Sequence, residues 1–214
     1  MSLLDSFRNC PGVPGYQRLS CAISVLLFLL LFLPGCPFFN LRSPEESSGE
    51  AVPWISPTSC AAVVFNIESA LEAKSPGMTN YTNSLSDSFK FHGDPTDSAT
   101  FYTNFNWDGF KNWTLAVERQ TVETFLNATQ ALTTEWSIQD SVDLGAGDRL
   151  LNLTYSLRVT PQTGSTIESA GLAKMYFHEE SGFYKVLRWD DSRGASVDTT
   201  WGSLKVAGRR AASR

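Results

Sequence analysis

The sequence predicts an α+β domain in which helices come first and a strongly bent antiparallel sheet of about four to five strands wraps them. Three observations carry this. Between Ser59 and Gln130, apolar residues recur at helical spacing. After Trp136 the period drops to two, the mark of strands with one buried face. Short Gly-containing turns separate the alternating segments, and such turns join antiparallel neighbours.

The elements follow in order. Val64, Ile67 and Leu71 share a face, with Val63 and Ala70 beside them, which predicts a helix over residues 59–73. Thr58 or Ser59 can cap it, and Ser75-Pro76-Gly77 stops it. Met78, Tyr81 and Leu85 form the stripe of a second helix. Phe89 and Phe91 then alternate with Lys90 and His92 as a short strand, ended by the turn His92-Gly93-Asp94-Pro95. The next stretch, rich in Thr, Asn and Asp with Phe101, Tyr102, Phe105 and Trp107 interspersed, reads as a loop. A third helix is expected over residues 108–130, with Trp113, Val117, Phe125 and Leu132 near one face and Glu118 and Arg119 toward water. Trp136, Ile138, Val142 and Leu144 belong to a strand closed by Gly145-Ala146-Gly147-Asp148. Leu151, Leu153, Tyr155, Leu157 and Val159 then make an unbroken apolar face. Strands over residues 166–178 and 183–190 form a hairpin, and Gly171 suggests a bend or bulge in the first of them. Trp201 and Leu204 lie in a tail that can fold back, while residues 206–214 are expected to fray.

Ahead of this domain lies the apolar run AISVLLFLLLFL at residues 22–33, preceded by Arg8 and Arg18 against Asp5. A basic start and a short apolar centre are the layout of a secretory signal. As a helix this run covers about 18 Å, short of a hydrocarbon core of about 30 Å. The uncharged stretch continues to Leu41, but Pro34, Gly35 and Pro37 would break a longer helix. Cleavage is therefore favoured over a spanning anchor.

The end of that run, Leu33-Pro34-Gly35-Cys36, resembles the lipobox of bacterial lipoprotein precursors. Leu33, Gly35 and Cys36 match; Pro34 and the following Pro37 depart from the pattern. The resemblance implies a signal peptide over residues 1–35, a lipid-modified Cys36, and a membrane-anchored location in the bacterial cell envelope facing away from the cytoplasm. Residues 36–57 read as a flexible tether, since Pro44-Glu45-Glu46-Ser47-Ser48-Gly49 has no periodicity. The domain proper is expected over residues 58–205.

Composition excludes several classes. Hydrophobic residues are 42% and charged residues 18%, too apolar for a disordered chain. The net charge of −5 offers no basic footprint, so no nucleic-acid partner is expected. With the basic leader removed, the remainder is more acidic still, so a lipid rather than the protein surface would hold the membrane. Of four cysteines, Cys10 and Cys21 leave with the leader and Cys36 carries lipid, so Cys60 is expected to be an unpaired, small buried residue.

The pattern resembles the nuclear-transport-factor-2-like superfamily, also called SnoaL-like or ketosteroid-isomerase-like. The residues that carry it are the Val64–Leu71 helix with Leu85-Ser86-Asp87-Ser88-Phe89-Lys90-Phe91, and the closing hairpin Ala170–Phe177 with Gly182–Asp191 and its Trp189. The tail Trp201-Gly202-Ser203-Leu204-Lys205 looks like that of bacterial lipoproteins bearing such a domain. The resemblance implies a conical half-barrel with a pocket in its mouth, and a homodimer through the open sheet face. It implies no single activity, because the superfamily holds enzymes and adaptors alike.

Enzymes of that group place an acid, a base or a His–Asp pair inside the cone. Here His92, Asp94 and Asp190 are the candidate catalytic residues, for an isomerase or dehydratase. His178 borders a hairpin turn, roughly 23 Å of strand from Asp190, so those two form no dyad. The turn that holds Asp94 explains it without catalysis. Asp190-Asp191 could present two carboxylates, but no third ligand is fixed nearby. No metal or cofactor motif is present, so none is expected. Trp107, Trp113, Tyr155, Met175 and Trp189 could line the cone mouth for a small apolar ligand; packed core is the competing reading. Sequons at Asn80, Asn112, Asn127 and Asn152 would suit a signal-anchored eukaryotic glycoprotein, but Asn127 and Asn152 fall within regular elements, and we read them as coincidence. The expected function is a lipid-anchored envelope protein whose domain binds a small ligand or an envelope protein without catalysis.

Overall fold

The computed structural model describes residues 51–106, 108–194 and 199–211. The expected leader, Cys36 and the tether up to residue 50 lie outside the described residues, as does Trp107. Helix α1 (Cys60–Glu72) starts where Ser59 accepts the Ala62 amide at 3.2 Å. It buries Val63, Val64, Ile67, Ala70 and Leu71. After a 3₁₀ turn at Ser75–Gly77 comes α2 (Met78–Asn83). Gly77 approaches α1 so closely that a Cβ there would stand 2.0 Å from the Ala70 carbonyl oxygen. Strand β1 (Leu85–His92) follows, longer than the short strand its two phenylalanines predict.

Two local expectations fail here. The stretch read as a loop is helix α3 (Pro95–Phe105). Asp94-Pro95 is its cap and first residue rather than the close of a turn: the Asp94 carboxylate accepts the amides of Thr96 at 2.8 Å and Asp97 at 3.4 Å. Polar composition hid the helix because it has only a narrow apolar face. The helix expected over residues 108–130 is broken in two. A 3₁₀ turn at Gly109–Asn112 leads to an extended Trp113, and α4 (Leu115–Asn127) starts afresh behind it.

Four long strands complete the sheet: β2 (Thr129–Gly145), β3 (Asp148–Pro161), β4 (Ile167–Glu180) and β5 (Phe183–Arg193). The spatial order is β1-β5-β4-β3-β2. The last four strands pair antiparallel, as the turns predict, and β1 adds a parallel fifth at the β5 edge, with Phe91 opposite Trp189 and His92 opposite Asp190. Leu151, Leu153, Tyr155, Leu157 and Val159 all point inward onto the core. The strands bend at irregularities such as Tyr176/Phe177 and Ile138/Asp140. Gly171 is no bulge on the β3 side, where the register runs unbroken; it makes room for the Tyr155 side chain, which a Cβ would meet at 2.4 Å.

The tail also departs from expectation. Helix α5 (Trp201–Ala211) runs through residues expected to fray, and Trp201, Leu204, Lys205 and Val206 are buried. It lies against α4 and fills the cone interior. The end of the expected tether is likewise part of the domain: Asn66 exchanges two hydrogen bonds with the Ile55 backbone, at 2.8 and 2.7 Å, and the Tyr184 amide donates to the Pro57 carbonyl at 2.8 Å.

Candidate functional site

The interior of the cone holds a charged pair, against the expectation that Glu118 faces water. Glu118, in the first turn of α4, points inward rather than to water and is 0% exposed; so is Lys205 of α5. The Lys205 ammonium donates to both Glu118 oxygens, at 2.9 and 2.8 Å. Tyr81 donates its hydroxyl to one of those oxygens and Trp113 its indole N–H to the other, each at 2.5 Å. The carboxylate thus receives donors on every side, which is what a buried charge needs. Four aromatic rings surround the ammonium. The centroid of Phe91 is 3.3 Å from Nζ, and those of Trp113, Trp201 and Trp189 are 5.0, 5.3 and 5.5 Å away. Burial pulls the Lys205 ammonium below its ordinary pKa, while Glu118 opposes that shift. Burial, followed by the negative charge of Glu118, holds the Tyr81 phenol well above its ordinary value.

A second set of groups anchors the start of α5. Asp191 accepts the Tyr155 hydroxyl at 2.6 Å and the Gly202 amide at 2.7 Å, and the Tyr155 oxygen accepts the Trp201 amide at 2.8 Å. Thr200 accepts the Ser203 amide at 3.1 Å and donates to Asp97 at 2.7 Å. Arg193 joins Asp97 through its guanidinium and gives its amide to Asp94 at 3.0 Å. Carboxylates and hydroxyls therefore gather where the first amides of α5 have no partner within the helix. Burial pushes the Asp191 carboxyl up to about 6 against the hydrogen bonds it accepts and the charge of Lys205. For Asp94 burial acts the same way, but the amides of Arg193, Thr96 and Asp97 outweigh it and hold the carboxyl below its ordinary value.

The candidate catalytic residues are not brought together in the interior. Asp94 caps α3 and holds Arg193. His92 pairs instead with Asp190, Nδ1 to Oδ1 at 2.8 Å, because parallel pairing sets them side by side; His92 is 54% exposed, on the outer face of the sheet. His178 finds a third aspartate, Asp148, at 2.6 Å, and that hydrogen bond raises its pKa. Asp190 and Asp191 point to opposite faces, since neighbours in a strand alternate, so they cannot share a ligand. Among the described residues no group of three His, Cys, Asp or Glu side chains could hold a metal ion. Of the candidate ligand-binding residues, Trp113, Tyr155, Met175 and Trp189 line the interior but are fully packed, with the Lys205 ammonium against Trp113 and Trp189. Cys60 is buried, and burial pushes its thiol up to about 11, which keeps it protonated and unreactive near neutrality.

Three described clefts open on the surface, and none is lined by Glu118, Lys205 or Asp191. One, of about 340 Å³, lies between the start of α1 and β2–β3, beside Ile138, Arg149 and Tyr184. Among the described residues no helix is long and apolar enough to cross a membrane.

No family model and no curated protein sequence matches the chain. Solved structures do. A candidate aromatic ring hydroxylase of Novosphingobium aromaticivorans superposes with a TM-score of 0.53 at 7% identity, over 67% of this chain and 92% of that one. A candidate scytalone dehydratase of the same organism gives 0.50 at 9% identity, over 66% and 90%. An NTF2-like protein of unknown function from Exiguobacterium gives 0.45 at 11% identity, over 63% and 99%. Identities this low speak to architecture alone. The likeness is one of fold: helices packed against a curved five-stranded sheet, the cone architecture that the resemblance to nuclear-transport-factor-2-like domains implies.

Proposed function

We propose that this protein is a lipid-anchored binding domain of the bacterial cell envelope that recognises a partner rather than catalysing a reaction in its cone. The observation that carries the reading is the state of the interior. The strongest acid–base constellation, Glu118 with Tyr81, Trp113 and Lys205, is internally paired and closed off by the chain's own last helix. General acid–base catalysis needs a group within hydrogen-bond reach of a substrate proton. Here the Tyr81 hydroxyl, the Trp113 indole N–H and two N–H bonds of the Lys205 ammonium already have Glu118 as their acceptor. The Tyr155–Asp191 pair is likewise committed to the backbone of α5. An isomerase or dehydratase working in this cone would have to give up that docking.

The anchor rests on Leu33-Pro34-Gly35-Cys36 at the end of the apolar run. Acyl chains contribute about 0.8 kcal/mol per buried CH₂, so several on one cysteine hold a domain at a bilayer. Growing cells on an alkyne fatty acid and coupling a dye to the purified protein tests it. Label on the wild type that is lost in Cys36→Ser is the expected result. An unlabelled wild type rejects the anchor.

A further inference from the structure

We propose that one end of the sheet, where the tips of the β2–β3 and β4–β5 hairpins lie beside the chain's entry into the domain, sits in the bilayer interface when Cys36 is acylated. This rests on the anchored reading and adds the surface through which the domain meets its membrane.

Three contacts bring these parts to one end. The Glu179 amide donates to the Gly147 carbonyl at 3.2 Å, so the two hairpin tips are neighbours. The Tyr184 amide donates to the Pro57 carbonyl at 2.8 Å, so the entering segment passes the start of β5. Thr58, Ile138 and Tyr184 line one cleft, which joins that segment to the far part of β2.

Large apolar side chains gather on this end in contact with solvent. Trp54 and Ile55 lie on the entering segment, Ile138, Val142 and Leu144 on β2, and Phe183 at the β4–β5 tip; each is at least 38% exposed. Turns at strand ends ordinarily carry small and polar residues, because nothing covers them. Exposed apolar residues that are clustered rather than scattered mark a surface that meets something else. Trp and Phe beside aliphatic residues suit the headgroup level of a bilayer.

The place where the chain enters selects the occupant. Residues 37–50 separate Cys36 from the domain, and a coil of that length would span about 20 Å. An acylated Cys36 therefore keeps the entry side close to lipid and raises the effective concentration of bilayer at this surface. The ionic groups here are largely paired within the chain. Asp143 meets Arg149 at 3.0 Å, Asp148 meets His178 at 2.6 Å, and Glu180 meets Lys185 at 3.5 Å. Pairing lowers the cost of bringing such groups toward a less polar phase. Asp140 and Glu179 add negative charge, which favours zwitterionic over anionic headgroups.

The test uses the processed, acylated protein in phosphatidylcholine vesicles. A nitroxide is placed through Leu144→Cys, Phe183→Cys or, as the reference, Leu172→Cys. Leu172 is exposed between buried neighbours on β4, eight residues before Glu180 and thus about 26 Å from that tip. Cys60 is buried and its thiol stays protonated, so it takes no label. Oxygen concentrates in lipid and a neutral nickel chelate in water, and each relaxes the nitroxide on collision. The expected oxygen-to-nickel accessibility ratio at residues 144 and 183 is at least about threefold that at residue 172. Equal ratios at the three positions overturn the proposal, because the tips then face water. Low accessibility to both reagents at the tips also overturns it, because protein, a second copy included, then covers them. Fatty-acid labelling of the same preparation separates the two readings. Acylated protein with water-facing tips defeats this orientation alone, whereas unacylated protein defeats the anchor and the orientation together.

Discussion

The Lys205 ammonium lies 2.8 Å from Glu118 Oε2 and 2.9 Å from Oε1 with neither side chain exposed to water, so each charge is the other's main substitute for solvent. Removing one partner strands the other. Glu118→Gln and Lys205→Met should each lower unfolding free energy by about 3–5 kcal/mol. The double variant should lose clearly less than the sum, because it leaves no unpaired charge and the glutamine oxygen still accepts from Tyr81 or Trp113. Urea unfolding of the four proteins measures the cycle. Additive losses would show that the two side chains are stabilised independently.

Asp191 makes stability depend on pH in a direction opposite to most carboxylates. Its pKa rises from 3.8 to about 6 in the folded chain, chiefly through burial. The folded protein therefore binds this proton more tightly than the unfolded one. Between about pH 4 and pH 6 the linkage slope is negative, and stability falls as pH rises. A shift of about two units corresponds to roughly 3 kcal/mol, present in full above pH 6 and relieved below pH 4. Asp94, with its lowered pKa, acts the other way, stabilising above the unfolded value and losing that contribution as acid protonates it. The informative quantity is thus the difference between wild type and Asp191→Asn. That difference should shift in favour of the wild type as pH falls from 7 to 4, by calorimetry at several pH values. A difference independent of pH would show that Asp191 titrates normally.

Gly171 separates a steric role from a flexible one. Its Cβ would lie 2.4 Å from the Tyr155 hydroxyl oxygen and 2.6 Å from the Ser192 carbonyl oxygen. One of these neighbours is backbone, and the other is locked by Asp191 and the Trp201 amide. Gly171→Ala should therefore destabilise by about 1–3 kcal/mol despite the usual gain from replacing a strand glycine. Gly171→Ala/Tyr155→Phe should lose less than the sum of its two single variants, since the atom nearest the new Cβ is gone. The loss of the hydroxyl's bonds to Asp191 and the Trp201 amide is common to both variants that carry Tyr155→Phe. Thermal midpoints of the single and double variants check both statements.

What the sequence revealed followed from how periodicity works. The strand from Asp148 to Pro161 and the helix from Cys60 to Glu72 were legible because their apolar residues repeat cleanly at 2 and near 3.6. Helix α3 was not, because its stability comes from Asp94 capping and contacts through Asp97 rather than from an apolar stripe. The pairing of His92 with Asp190 was invisible because it depends on β1 joining β5 in parallel, a long-range choice no local pattern encodes. For Glu118 and Lys205 a signal did exist. Glu118 precedes Val122 by four residues on the buried stripe of α4, and Lys205 follows Trp201 by four on that of α5. Opposite charges on two apolar stripes are the trace of a buried pair, and assuming that charged residues face water concealed it.

The docking of α5 should divide unevenly between its first residues. Trp201 is fully buried and meets Phe125 edge-on, with ring centroids 5.2 Å apart. Thr200 contributes a cap: it accepts the Ser203 amide and donates to Asp97. Deleting a large buried ring removes its burial and leaves a cavity, so Trp201→Ala should cost about 3–5 kcal/mol. Losing the capping oxygen should cost Thr200→Ala about 0.5–2 kcal/mol. The two should also differ in kind. Thr200→Ala loosens only the first turn, so amide exchange should accelerate at Trp201, Gly202 and Ser203 while Lys205 stays protected. Trp201→Ala removes the wedge that seats the helix, so exchange should accelerate along α5 and reach the indole N–H of Trp113, whose acceptor Glu118 would lose its lysine. Protection of the Trp113 indole in Trp201→Ala equal to that in the wild type would mean that Lys205 holds the helix without the ring.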